Sequence, residues 1–433
     1  MTDALTVLLG DATIGTLSRL RGGRLTFIYD DGYQALHDVT PLSVSMPPRI
    51  RSHPDSVISP WLWNLLPDNE AVLLRWARQF HASASSPFSL LATPVGQDCA
   101  GAVRFVRRDN AGEAIGSPGD VTWLTDAEVG QRLRDLQADS TAWLGRSFTG
   151  QFSLAGAQAK TALLYQNGRW GVPHGARATT HILKPAVAGL DDHDLNEHLC
   201  LDAARRAGLI AVRTRVAQFD TETAIVVDRY DRAEANGITV RVHQEDLCQA
   251  MALPPTMKYQ AEGGPTPPQI AALFRKVMSP KNADEAIGRF FDALVWNWLI
   301  GGTDAHAKNY SLLLAGGQVR LAPLYDIASA LPYGTHERKL RFAMKIGGDY
   351  GVLPRRNTWD RAAADLRISQ HNALARAREL TEIVADAFRG AAADPDVVAL
   401  RRKLPSRLVE LIADRADRCA RVIDGDDRPS EHL

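Results

Sequence analysis

The sequence predicts an α+β fold in which two strand-rich stretches precede a mostly helical C-terminal half. Three observations carry this reading. The first fifty residues hold short apolar runs, "LTVLLG", "ATIGTL" and "RLTFIYD", separated by Gly and Asp turns. A second strand-rich stretch contains "KTALLYQNGRWGVP", where Asn167-Gly168 stands between two strand-like runs, the strongest short hairpin signal. Further on, Ile287, Phe290, Phe291, Leu294, Val295 and Trp298 repeat at helical spacing and form one broad core-facing stripe.

The elements follow in order. After the first strands, the pattern turns helical near Asp68, which can cap a helix with Leu73, Trp76, Ala77 and Phe80 along one face. "FSLLATPVGQDCAGAVRFV" returns to strand and loop, and the polar, Gly-rich residues 107–122 mark a boundary. Thr125 opens the next helix with Glu128 three residues on, a capping-box spacing. "TTHILKP" alternates as a strand, and "LNEHLCLDAARRAGL" is a helix ending at Gly208, a natural C′ residue. Strands around Val212–Phe219 and Thr223–Val227 lead into "DRYDR". The long helix is expected from about Asp284 to Leu299, with Asn282 and Glu285 at its start and Gly301-Gly302 at its stop. "YSLLLA" and "QVRLAP" flank Gly316-Gly317 as a hairpin. The last hundred residues hold several Ala/Arg/Leu helices and a polar tail, with no internal repeat.

Composition narrows the function. The 50 acidic and 50 basic residues balance, which argues against a general nucleic-acid binder. Cys99, Cys200, Cys248 and Cys419 are far apart and form no CxxC pair, so a disulfide framework or zinc knuckle is not expected and a reducing compartment fits. The N-terminal "MTDALTVLLG" has no basic leader region, and the most apolar segment, Ala293–Ile300, is too short to span a bilayer. A soluble, cytoplasmic protein is expected.

The chemistry concentrates in "GGTDAHAKNYSLLL". Asp304 and Asn309 sit in the loop after the long helix, and Asp326 follows the hairpin, seventeen residues after Asn309. Protein kinases use this order, D-x4-N, hairpin, D, in the catalytic loop and the metal-binding aspartate after it. One Asp orients the hydroxyl nucleophile and accepts its proton. An amide oxygen and a second Asp hold magnesium on the phosphates. The bland alternative is a polar loop at a helix end followed by a hairpin turn. Lys184 in "THILKPA" lies on a strand upstream, where a kinase needs a lysine for the α- and β-phosphates. Glu197 on the next helix is its candidate partner, with a solvated helix charge as the alternative. "SLAGAQAKT" (Ser153–Thr161) has no GxGxxG and no GxxxxGK[ST], yet its small residues let backbone N–H groups approach phosphate oxygens. A flexible linker reads equally well from the residues alone.

Together "FSLAGAQAKTALL", "THILKP", "NEHLCLDAARRAGL", "VDRYDR", "GGTDAHAKNYSLL" and "PLYDIASA" resemble the HipA family, the kinase toxins of bacterial toxin–antitoxin pairs. "PLSVSMP" and "LLPDNE" resemble that family's N-terminal region, so the similarity spans nearly the whole chain. The resemblance implies a two-lobed protein-kinase-like fold with an extra N-terminal β-rich subdomain (1–110), a kinase N-lobe-like region (120–232) and a helical C-lobe (233–433). It implies ATP- and magnesium-dependent phosphorylation of protein serine or threonine, with aminoacyl-tRNA synthetases as targets, translation inhibited and dormancy promoted. A small helix-turn-helix antitoxin, HipB-type, would be the partner and would make the main contact to operator DNA.

Residue by residue, the resemblance makes Asp304 the catalytic base, and Asn309 and Asp326 the magnesium ligands. Ala155, Gly156, Ala157, Gln158, Ala159 and Lys160 would form the ATP phosphate loop, and Lys184 the phosphate lysine. Asp228, Arg229 and Tyr230 would form the hinge beside adenine. The family often has Glu where Asp228 stands, and a hinge that uses its backbone tolerates that departure. His306, Ala307, Lys308 and Tyr325 would line the nucleotide site, although a histidine in such a loop also serves simply to order backbone. Ser153 aligns with the family's self-phosphorylated serine, whose modification expels the phosphate loop and disables ATP binding. Two competing readings are a small-molecule kinase sharing the D-x4-N and later D, and a catalytically silent corepressor partner of a DNA-binding antitoxin. Acceptor screening separates the first and ATP turnover the second.

Overall fold

Apolar residues at a period of two build the first sheet. The strands β1 (Asp3–Leu9), β2 (Ala12–Arg19), β3 (Leu25–Tyr29), β4 (Ser52–Pro54) and β5 (Val103–Arg107) pair antiparallel in the order β4-β3-β2-β1-β5. Along β3, Leu25, Phe27 and Tyr29 are buried while Thr26 and Ile28 are only partly so. The computed structural model describes residues 3–110, 112, 115, 119–145, 150–235, 238–334, 337–353 and 357–424. They divide into two compact units. The first comprises residues 1–188, 217–257 and 311–322, and the second residues 189–216, 258–310 and 323–433.

Helices as well as strands make up the first hundred residues. Asp55–Trp63 is helical despite Pro60 in its interior. Proline there costs roughly 3 kcal/mol. Ile58, Trp61 and Leu62 are fully buried and return about 1.5–3 kcal/mol each, so burial wins. Pro87–Leu91, read as strand or loop from sequence, is a short helix capped by Ser86. The helix expected near Asp68 runs Glu70–Gln79, and its cap is Asn69, which accepts from the Ala71 N–H. Asp68 stands one residue too early and instead donates its N–H to the Gly156 carbonyl. Leu5, Val7, Phe27, Trp61 and Trp76 share one core with Trp143, Phe152 and Leu154 from beyond the first sheet.

The second sheet holds β6 (Val121–Leu124), β7 (Thr161–Gln166), β8 (Arg169–Pro173), β9 (His181–Pro185), β10 (Thr214–Phe219) and β11 (Glu222–Asp228), in the order β10-β11-β9-β7-β8-β6. Asn167 and Gly168 have φ of 52° and 77°, as the tight turn between β7 and β8 requires. The helix Asp126–Ala138 starts with the expected Thr125–Glu128 capping box and lays Val129 and Leu133 on Leu163, Trp170 and Leu183. Residues 111, 113, 114 and 116–118 of the boundary stretch 107–122, and residues 425–433 of the tail, lie outside the described residues. The first unit also holds a hairpin, β12 (Arg232–Ala235) with β13 (Ile238–Arg241), and a three-stranded sheet of β14 (His243–Asp246), β15 (Ser311–Ala315) and β16 (Gln318–Leu321). The hairpin joining the last two turns at Gly316-Gly317, as its sequence requires.

The second unit is built on the long helix Pro280–Ile300. It begins four residues earlier than its stripe suggests, because Ser279 caps it and Pro280 occupies the first turn, where no N–H is needed. It ends at Gly301, with φ of 64°. Trp296 stacks on Phe388 of the helix Gln370–Ala392, and Trp298 meets Trp359 of the helix Thr358–Leu366 edge-on. Arg415, fully buried on the helix Leu404–Ile423, donates to the Trp298 carbonyl at 2.8 and 3.1 Å and to the Val352 carbonyl at 2.6 Å. It thereby satisfies an oxygen in the last turn of the long helix. A short hairpin, β17 (Arg341–Ile346) with β18 (Asp349–Gly351), interrupts the helices of this unit.

Candidate active site

The candidate residues fall in both units. In the first unit, Phe152 and Leu154 enter the core and pin Ser153 between them. Ser153 is fully buried. Its N–H donates to the Asp98 carbonyl at 3.0 Å and its hydroxyl to the Leu65 carbonyl at 2.8 Å. The chain then bends through Gly156, whose φ of 101° would strain any residue with a side chain. The Lys160 ammonium donates to the Ala155 carbonyl at 2.7 Å and lies 4.9 Å from the centre of the Trp143 ring. Ala157 is exposed at the tip. The Gln158 amide nitrogen is buried with no hydrogen-bond partner, an orphan donor inside the loop assigned to phosphate.

Lys184 lies on β9, opposite Ile225 of β11, and is buried. Its neighbour Leu183 faces the core under the helix Asp126–Ala138. Ile182, on the same strand face as Lys184, packs against the larger core together with Ala159 of the loop. Lys184 and the Ser153–Lys160 segment therefore lie toward one face of the sheet.

The hinge candidates end β11. Asp228 is within 3.3 Å of the His181 ring, and Tyr230 donates to Gln244 at 2.6 Å. The Arg229 side chain turns inward. It binds Asp231 at 2.7 and 3.0 Å, Thr179 at 2.8 Å and the Cys99 carbonyl at 3.0 Å. Asp98 sits fully buried beside Arg229, Arg232 and Arg241. Burial pushes its carboxyl up, but those three guanidiniums and the Thr179 hydroxyl outweigh it and hold it far below the usual carboxylate range. Nothing local in the sequence marks Asp98, because its partners lie about eighty to 140 residues away.

In the second unit, Gly301 and Gly302 release the chain from the long helix into Thr303–Asn309. Asp304 is exposed, and its carboxylate accepts from the Tyr259 hydroxyl at 2.6 Å. His306 donates its N–H to the Asp304 carbonyl at 2.8 Å, and its ring stands edge-on to Tyr259 at 5.0 Å. Burial lowers the His306 pKa, favouring neutral imidazole, and its Nδ1 is buried without a partner. A 3-10 turn, Ala307–Asn309, follows. Ala307 donates to the Lys258 carbonyl at 3.1 Å, and Tyr325 donates to the Lys308 carbonyl at 2.7 Å.

Asn309 reaches Asp326, its amide nitrogen lying 3.2 Å from both the backbone carbonyl and a carboxylate oxygen. Asp326 has φ of 57°, a strained value for a residue with a side chain. Ser329 holds this segment to the end of the long helix, donating to the Ile300 carbonyl at 2.6 Å. The decisive atom is the Asn309 side-chain oxygen. It is buried with no partner, next to a carboxylate. An amide oxygen and a carboxylate on adjacent loops suit magnesium, which takes few protein oxygens and completes its shell with water and phosphate. Among the described residues no group of three His, Cys, Asp or Glu side chains is placed to hold a metal ion.

The geometry thus joins Asp304, His306, Lys308, Asn309, Tyr325 and Asp326 in one unit, and Ser153–Lys160, Lys184 and the hinge in the other. Sequence reasoning missed Tyr259 and Asp98. Tyr259 carries a faint signal, standing just before the Gly263-Gly264 turn in "MKYQAEGGP". The four cysteines are free and buried. No described helix is long and apolar enough to cross a membrane.

Residues 5–106 match the family model described as the HipA N-terminal domain, and residues 152–388 the HipA-like C-terminal domain. The chain is 34% identical over 338 residues to a Sinorhizobium fredii protein named "Putative kinase Y4mE", covering 77% of this chain and 78% of that one. It is 28% identical over 305 residues to the serine/threonine-protein kinase toxin HipA of Shewanella oneidensis, covering 66% of each. A solved structure of the Shewanella oneidensis HipA, HipB and operator DNA complex matches with a TM-score of 0.81 at 23% identity, over 98% of this chain and 100% of that one. That likeness establishes the α+β, kinase-like fold class.

Proposed function

This chain belongs to the HipA family, and from that premise we propose that it is an ATP- and magnesium-dependent serine/threonine protein kinase acting as the toxin of a toxin–antitoxin pair. The observation that carries the reading is the Asn309 side-chain oxygen, buried and unpartnered beside Asp326. Asn309 and Asp326 would hold the metal, which would supply charge neutralisation of the polyphosphate. Asp304 takes the proton of the acceptor hydroxyl while that oxygen bonds to the γ-phosphorus and the bond to the departing ADP breaks. Tyr259 holds the Asp304 carboxylate for this role. The segment Ala155–Lys160, with its orphan Gln158 donor, and Lys184 bind the phosphates. The hinge presents backbone to adenine.

Ser153 is the site of self-phosphorylation and inactivation in this reading. Its hydroxyl is committed to the Leu65 carbonyl, so it accepts phosphate only after the loop has swung out. An aminoacyl-tRNA synthetase is the proposed target, so that phosphorylation stops translation. A HipB-type antitoxin is the proposed partner, in keeping with the Shewanella complex, and carries the main contact to operator DNA. The test is transfer of radiolabelled phosphate from Mg–ATP to proteins of a bacterial lysate, with the labelled protein identified by mass. Label on a synthetase, absent with Asp304→Ala, supports the whole proposal. Label only on small hydroxylated metabolites makes the chain a small-molecule kinase, and no label at all overturns the kinase reading.

A further inference from the structure

Three segments of the second unit meet around Asp304. Lys258–Glu262 runs beside the catalytic loop through the Ala307 N–H on the Lys258 carbonyl. The β17 strand is tied to the same loop by the Ala343 N–H on the Thr303 carbonyl at 3.0 Å. The two segments are tied to each other by the Lys345 N–H on the Gln260 side chain at 2.8 Å. Between them lies a cleft of about 470 Å³, open to solvent, whose wall includes Tyr259, Glu262, Thr303, Arg341, Phe342 and Tyr350. That size falls in the range of roughly 300–1,000 Å³ typical of ligand sites. Its walls are mainly apolar and aromatic. Tyr259 belongs to both structures, since it lines the cleft and its hydroxyl holds Asp304 at 2.6 Å.

We propose that this cleft is the acceptor subsite, taking an apolar side chain of the polypeptide next to the phosphorylated hydroxyl, and that Tyr259 is a positioning residue linking it to Asp304. The proposal rests on the kinase reading above. Continuity decides the occupant. Thr303 is bonded in sequence to Asp304, so a chain seated in the cleft runs directly past the carboxylate that must meet the acceptor hydroxyl. Tyr259, Phe342, Ala343 and Tyr350 suit an apolar side chain, with Glu262 and Arg341 as the charged groups of the wall. Tyr259 donates to a carboxylate that must keep a fixed direction, and misplacing a reacting group by about 1 Å costs on the order of 100-fold in rate.

The experiment uses the full chain, Mg–ATP and a positional-scanning library of serine-centred peptides. Wild type is expected to prefer apolar residues at one position flanking the serine. Ala261→Trp projects a ring into the cleft from an exposed turn and should erase that preference. Tyr350→Ala, which enlarges the cleft, should shift it toward larger side chains. Tyr259→Phe keeps the wall and loses the hydroxyl, so kcat should fall roughly 10-fold to 100-fold while the peptide KM changes little. Calorimetry with Mg–ATP on each variant separates these effects from misfolding. Phosphate transfer by wild type sustains the kinase reading whatever the variants do, and its absence overturns both proposals. Transfer with an unchanged preference in both cleft variants, or wild-type kcat in Tyr259→Phe, overturns this one alone. Transfer to small polyols in preference to every peptide also overturns it.

Discussion

Phosphorylation of Ser153 should switch off ATP binding, and the structure sets the size of the effect. The side chain is fully buried, with its hydroxyl 2.8 Å from the Leu65 carbonyl and its N–H on the Asp98 carbonyl. A phosphate replaces that donor with close to two negative charges facing an oxygen that cannot donate. Leaving an ion buried without compensation costs several kcal/mol. About 5.5 kcal/mol turns a 99:1 equilibrium into 1:99. If ATP needs the inward loop, an inward population of about 1% weakens its apparent affinity about 100-fold. The assay is calorimetric titration with Mg–ATP of protein carrying phosphoserine installed at position 153 during synthesis, which makes the result independent of self-phosphorylation. Ser153→Ala is the control. It loses one hydrogen bond, about 1–2 kcal/mol of stability, and should bind ATP within tenfold of wild type. A phosphoserine form that also binds within tenfold would refute the reasoning.

Other expectations test separate parts of the molecule. Asp304→Ala should abolish phosphoryl transfer while Mg–ATP affinity stays near wild type, checked by turnover and calorimetry on the same sample. Asp326→Ala and Asn309→Ala should each lower ATP affinity in magnesium and have little effect in EDTA; equal losses in both media would place the metal elsewhere. Arg415→Met should destabilise the protein by roughly 3 kcal/mol, read from urea unfolding, because it removes the buried donors to the Trp298 and Val352 carbonyls and the ion pair with Glu337. The fully buried pair His243 and Glu245 on β14 gives a pH test. Burial lowers His243 from 6.5 to about 4, so its contribution is present above the unfolded value and is lost as pH falls from 6.5 toward 4. Burial raises Glu245 from 4.5 to about 7, so its contribution is lost as pH rises from 4.5 toward 7. The two slopes oppose each other between about pH 4.5 and 6.5. Glu245→Gln removes the falling component, so the slope of stability against pH between about 4.5 and 6.5 should become more positive than in wild type by about 1.4 kcal/mol per pH unit; an unchanged slope would contradict it.

Where local chemistry sufficed, the sequence by itself determined the structure. Asn167-Gly168 forced the hairpin between β7 and β8 because positive φ at both positions suits those residues. Thr125 with Glu128 started a helix through bonds spanning three residues. Gly301 ended the long helix, and so the spacing of Asp304, Asn309 and Asp326 could be read as a catalytic loop, a hairpin and a metal-binding aspartate. What remained hidden depends on residues far apart in the chain. The helix around Pro60 exists because Trp61 and Leu62 find a core, and no local pattern reports that gain. Asp98 looks like any loop aspartate until three arginines from distant segments surround it. Tyr259 gains meaning only through a carboxylate 45 residues away. The unpartnered oxygen of Asn309 is likewise a fact of packing. Turns, caps and periodicity are short-range and written in the order of residues, whereas burial, ion pairing and the orphaned atom arise only when the folded chain brings its distant parts together.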